Sequence, residues 1–187
     1  MVAVAQLWLP ILLSSVLVFF ASSILHMVLK FWHAPDARAF SNEDEIAAAM
    51  RKGQPGAGMY MIPYCTPEAM KENAIQEKFR QGPVGTIFLR PVGAMNLGAF
   101  LGQWFVFCVV VSVFAAYLAG HVLAPGTPYM RVFRVVGTAA FMAYALGSIP
   151  NAIWWGHPWR SQFKHVIDGL IYATLMAGVF GWLWPAS

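Results

Sequence analysis

The sequence predicts an all-α membrane protein, a bundle of four transmembrane helices with a small α/β cytoplasmic insertion between helices 1 and 2. Three observations predict it. Composition is 59% hydrophobic and 11% charged over 187 residues, far from the average of a soluble domain. Residues 30–90 hold most of the charge: Lys30, Arg38, Arg51, Lys52, Lys71, Lys78, Arg80 and Arg90, with every acid except Asp168. From Leu97 onward only Arg131, Arg134, Arg160, Lys164 and Asp168 interrupt long apolar runs. The predicted organisation is therefore helix 1 over 1–30, the insertion over 31–96, and helices 2–4 over 97–187.

A bilayer core takes about 20 mostly apolar residues per helix. Residues 7–29, 97–123, 132–150 and 166–184 meet that length. Helix 1 carries Pro10 in its opening turn, where a missing N–H costs little. It has no basic leader and too long an apolar run for a cleavable signal peptide. Ser14, Ser15, Ser22 and Ser23 punctuate it, and it leaves the bilayer through His26, Lys30, Trp32 and His33. Ala124-Pro125-Gly126-Thr127-Pro128 is too short to be anything but a hairpin link between helices 2 and 3. Pro150 removes a backbone donor and is expected to kink or stop helix 3.

Inside the insertion, Ser41 and Asp44 have the spacing of a capping box, which opens a short helix over 43–52 stopped by Gly53. Residues 59–64 and 84–89 read as strands. Thr66-Pro67-Glu68 offers a cap hydroxyl, a first-turn proline and a first-turn acid, and predicts a helix to about Arg80. Strand, helix and strand in that order suggest a small right-handed crossover unit.

Small residues mark the expected packing faces. Gly98 and Gly102 stand four apart in helix 2. Gly169, Ala173, Ala177 and Gly181 recur every four residues in helix 4, a smooth stripe for close helix approach. Trp154, Trp155, Trp159, Arg160 and Lys164 read as an interfacial belt. Trp8, Trp182 and Trp184 read as its counterpart on the other side.

Orientation follows from basic residues near helix ends. The insertion side carries Lys30, Arg38, Arg80, Arg90, Arg160 and Lys164; the other carries Arg131 and Arg134. That count favours a cytoplasmic 31–96 and periplasmic termini. The formal charge of +4 forms no dense basic face, so nucleic acid is not an expected partner. Cys65 and Cys108 are expected as free thiols.

The stretches SSILHMVLKFWHAPD, GQWFVFCVVVS, FRVVGT and DGLIYATLMAGVFGWLWP resemble small four-helix inner-membrane proteins of bacteria that carry no assigned function. The resemblance spans nearly the whole chain. It implies a multi-pass protein of a bacterial inner membrane and carries over no catalytic residue.

His26, His165 and Asp168, supported by His33 and His157, are the candidate chemistry. With the orientation above they gather at one face, and a histidine pair with a carboxylate suits zinc or iron. His165 and Asp168 share one helix face. No H-x-x-H or H-E-x-x-H spacing accompanies them, so no cofactor is favoured and a metal ion stays open. A bis-histidine haem has thin support, because His121 lies near the far end of helix 2. The competing reading pairs Lys164 with Asp168 four residues on, and makes Asp168 a shallow structural anchor within reach of water and headgroups. Gly53–Gly58 lacks the residues of a phosphate loop, and Cys65 lacks a partner for catalysis. Two functions therefore stand. One is a non-enzymatic structural or accessory protein in the bilayer, packing with itself or a larger complex through its small-residue stripes. The other is a metal- or cofactor-binding, redox-capable protein. Small-solute or proton transport has too few mid-helix polar residues to argue.

Overall fold

The computed structural model describes residues 1–186. Among these, four helices are long and apolar enough to cross a membrane: Val4–Val28, Leu97–Val122, Tyr129–Trp155 and Trp159–Trp182. The first begins as a 3-10 turn, Val4–Leu7, runs as α1 (Trp8–Ser23), and ends in a π-turn, Ile24–Val28. After a break at Leu29 the single turn α2 (Lys30–His33) follows. Then come α3 (Glu43–Lys52), β1 (Gly58–Ile62), α4 (Asn73–Gln81), β2 (Gly85–Leu89) and α5 (Leu97–Val122). The chain closes with α6 (Tyr129–Tyr144), α7 (Ile149–Trp155) and α8 (Trp159–Trp182).

Two compact units result. One comprises 1–37, 96–152 and 158–186, the other 38–95 with 153–157. In the first, α8 packs along α6 and α1, and α5 packs along α1 and α6, so the four apolar helices close into a ring. Its core is apolar: Leu7, Val18, Cys108, Ala116, Val132, Val136, Met176 and Phe180 are all fully buried. Buried hydroxyls cross-link it. Ser14 and Ser112 lie 2.8 Å apart, and the Ser15 hydroxyl bonds the Ile11 carbonyl at 2.7 Å, which satisfies polar groups that an apolar surrounding would otherwise penalise.

The stripe on α8 meets its partners within the chain. A methyl built on Gly169 would lie 2.7 Å from Ala145 Cβ, and one on Gly181 would lie 2.6 Å from the Tyr129 ring. Ala173 and Ala177 are buried between them, with Ala177 Cβ facing Gly137. Among the described residues, Gly98 and Gly102 meet no other helix within the chain. Nothing lies within 4 Å of a methyl built on Gly102, and Gly98 would meet only its neighbour Asn96. Gly120, which the sequence did not single out, is the close-approach glycine of α5, receiving the Val2 amide at its carbonyl and pressing against the Val2 backbone.

Helix 3 is interrupted rather than stopped. α6 ends at Tyr144, a 3-10 turn spans Leu146–Ser148, and α7 continues with Pro150 in its first turn, where proline is tolerated. In the second unit the strands pair antiparallel, Gly58 opposite Leu89 and Ile62 opposite Gly85, which corrects the crossover expectation. Antiparallel ladders have the better hydrogen bonds, and the long connection imposes no parallel return. The helix expected from Thr66 breaks at Glu72, whose ψ of 134° is extended, so that a 3-10 turn Ala69–Lys71 precedes α4. Trp8 and Trp182 are exposed, whereas Trp184 is buried and donates its indole N–H to the Ala124 carbonyl at 2.9 Å. That removes Trp184 from the expected belt.

Candidate metal centre

The centre forms where α1, α2 and α8 meet, and local backbone geometry supplies its first ligands. A regular α-helix through residues 24–28 would put His26 and His33 about 700° apart, nearly one face. The π-turn and the break at Leu29 alter that spacing: the Leu29 amide bonds the Ile24 carbonyl, five residues back, at 2.9 Å. The two rings then stack with centroids 4.2 Å apart and planes 13° from parallel. Single π-turns inside α-helices recur at functional sites. From α8, His165 stacks on His33 with a centroid distance of 5.1 Å, and Asp168 follows one turn later.

One ligand atom from each of His26, His33, His165 and Asp168 lies within 4.8 Å of the others. His157 belongs to the second unit and is not among them. A tetrahedral zinc with bonds of ~2.0–2.1 Å spaces its ligands at about 3.4 Å, so the stacked rings would have to turn out of their stack to close around one ion.

Asp168 is 2% exposed. Its carboxylate is enclosed by protein rather than open to water, and its bonds are to side chains of the neighbouring turn. Oδ1 accepts the Trp32 indole N–H at 2.8 Å and Oδ2 lies 2.7 Å from His33 Nε2. Lys164 does not serve as its partner. The ammonium donates to Asp36 Oδ1 at 2.6 Å and to the Trp32 carbonyl, and the residue is buried. Trp154 and Trp159 are exposed as a belt requires.

Asp36 links the two sides. Its Oδ2 lies 2.9 Å from His33 Nδ1. Burial of the Asp36 carboxyl works to raise its pKa, but the Lys164 and His33 hydrogen bonds and the Lys164 charge outweigh it and hold the pKa at about 2. His33 therefore stands between two carboxylates. Each ring nitrogen thus has a carboxylate oxygen within hydrogen-bond distance. His26 has the complementary arrangement: Nδ1 lies 3.0 Å from the Ser22 carbonyl, so Nδ1–H donates and the Nε2 lone pair is free for a ligand bond.

Beneath the cluster the core is aromatic. Tyr172 follows Asp168 by one turn, and its ring packs edge-on to Tyr144 at 5.5 Å, with Trp104 6.2 Å from both. The Trp104 indole donates to the Ser22 hydroxyl at 2.7 Å, tying the α5 face to the residue that orients His26.

Sequence reasoning found His26, His165 and Asp168 and ranked His33 below them. It missed Trp32, Asp36 and the partner of Lys164. The i, i+3 spacing of His33 and Asp36 is the one local signal that could have found Asp36. A comparison with protein-family models, with curated proteins and with solved structures finds no match.

Proposed function

We propose that this chain is a multi-pass membrane protein that binds a divalent first-row transition metal through His26, His33, His165 and Asp168. The observation that carries the reading is the convergence of three imidazoles and one carboxylate within 4.8 Å. One of these ligands comes from the end of the first apolar helix, one from the turn α2 that follows it, and two from the start of the fourth. Three nitrogens and one oxygen suit zinc, iron, manganese or copper. Magnesium and calcium favour all-oxygen shells and fit poorly. His33 backed by Asp36 is the carboxylate–histidine arrangement that fixes the tautomer and raises the basicity of a ligand. The small-residue stripe that motivated a structural or accessory role meets partners inside the chain, so the metal reading stands on the firmer observation.

The setting belongs to the same proposal. Four apolar helices and the distribution of basic residues support a bacterial inner membrane, with 31–96 cytoplasmic and the termini periplasmic. The metal would then be drawn from the cytoplasmic side, where α1 leaves the bilayer.

Purification from native membranes in mild detergent, followed by elemental analysis, tests the reading. Stoichiometric transition metal is expected in the parent and its loss in His165→Ala and Asp168→Asn. Metal-free protein that also takes up neither zinc nor cobalt in titration overturns it.

A further inference from the structure

Five side chains around the centre close a ring of hydrogen bonds, and only two of them are metal ligands. Asp168 Oδ1 accepts from the Trp32 indole at 2.8 Å. The Trp32 carbonyl accepts from Lys164, whose ammonium also donates to Asp36 Oδ1 at 2.6 Å. Asp36 Oδ2 lies 2.9 Å from His33 Nδ1, and His33 Nε2 lies 2.7 Å from Asp168 Oδ2. Lys164 and Asp168 are one turn apart on α8, so the circuit returns to the helix it left.

Resting on the metal reading above, we propose that Trp32, Asp36 and Lys164 are positioning residues that hold His33 and Asp168 as a preassembled half-site. His26 and His165 complete it on metal arrival. Burial separates the halves. The side chains of His33 and Asp168 are 11% and 2% exposed, whereas that of His165 is 44% exposed and His26 lies on the outer surface of the protein. The enclosed pair is therefore held by its hydrogen bonds, and the outward pair is free to close on the ion.

Lys164 belongs to the same division: its side chain is 10% exposed, and its ammonium bridges Asp36 Oδ1 and the Trp32 carbonyl, so it ties the turn that carries His33 to α8.

Second-shell partners of this kind typically change metal affinity by about 10–100-fold. Cobalt(II) is the probe, because its visible bands report the ligand set independently of affinity. Asp36→Asn, Lys164→Met and Trp32→Phe are each expected to weaken cobalt binding by about 10–100-fold while keeping the parent stoichiometry and band positions. Asp36→Glu is expected to recover part of the loss. His26→Ala, which removes a ligand, is expected to shift the bands themselves. Where Asp36→Asn yields no folded protein, Lys164→Met and Trp32→Phe carry the test, with folding checked by thermal unfolding in detergent. Variants that bind cobalt as tightly as the parent overturn the positioning role and leave the metal reading intact. So do variants whose bands shift as those of His26→Ala do. A parent that takes up no cobalt overturns the metal reading and the ring's role together.

Discussion

At the scale of single residues, Asp36 carries consequences for stability that need no metal. Its carboxyl would ordinarily titrate near 3.8 and is held at about 2 in the folded chain. A pKa lower in the folded than in the unfolded state means that the unfolded chain binds the proton more readily. The stabilisation is thus complete above 3.8 and is lost as pH falls towards about 2. Metal-free parent protein is therefore expected to lose unfolding free energy across that interval. Asp36→Asn, lacking the titrating group, should show a flatter profile there, as measured by denaturant unfolding in detergent across the acid range. Parallel profiles for the two proteins would show that the Lys164 and His33 bonds to Asp36 contribute nothing in the folded state.

Elements bring residues together, and here the contrast between glycines is informative. On α8 a methyl at Gly169 would lie 2.7 Å from Ala145 Cβ and 2.9 Å from its backbone nitrogen. Backbone cannot rotate away, so Gly169→Ala is expected to push α6 and α8 apart at a cost of about 1–3 kcal/mol, as overpacked cores do. Gly102→Ala meets open space and removes a flexible residue from a helix interior, where alanine is favoured by up to about 1 kcal/mol. Thermal unfolding should separate the two, with the first lowered and the second unchanged or raised. Both glycines sit in motifs of identical spacing, which explains why the sequence could not rank them: spacing records a smooth face but not whether another helix lies on it. The four apolar helices were legible because their lengths and their proline and glycine punctuation are local properties. The antiparallel pairing of β1 and β2 and the meeting of His33 with Asp168, 135 residues apart, depend on how the chain returns, which no local pattern encodes. Nor does any residue type announce the π-turn at Ile24–Val28. Its role is open to a direct check. Deleting Met27 removes the extra residue of the turn and rotates everything beyond it by about 100°, carrying His33 away from Asp168. The deletion is expected to abolish cobalt binding while leaving the α5–α6 and α6–α8 packing, and hence most of the thermal stability, in place. Retained binding would show that the π-turn does not set the position of His33.

For the whole molecule, the decisive quantity is which side of the bilayer the centre faces. Under the proposed arrangement, four spans would return the chain to its starting side, putting both termini on one face and residues 38–95 on the other. The proposed ligands lie near the end of the first apolar span and the start of the fourth, so in that arrangement the centre would open to the side on which the chain enters the insertion. Six basic residues near helix ends on that side, against Arg131 and Arg134 on the other, favour the cytoplasm. The two native thiols report on this without added probes. Cys65 lies in the insertion and is partly exposed, whereas Cys108 is buried in the core. A membrane-impermeant maleimide is therefore expected to label Cys65 in inverted vesicles, where the cytoplasmic face is outward, and to leave it unlabelled in intact spheroplasts. Cys65→Ser should abolish the signal in both, assigning it to that thiol. Labelling of intact spheroplasts would reverse the orientation and place His26, His33, His165 and Asp168 against the periplasmic metal pool. The side labelled thus determines which compartment's metal the centre samples, since an ion reaching it from the opposite face would have to pass the fully buried Phe180, Met176 and Val18 of the bundle core.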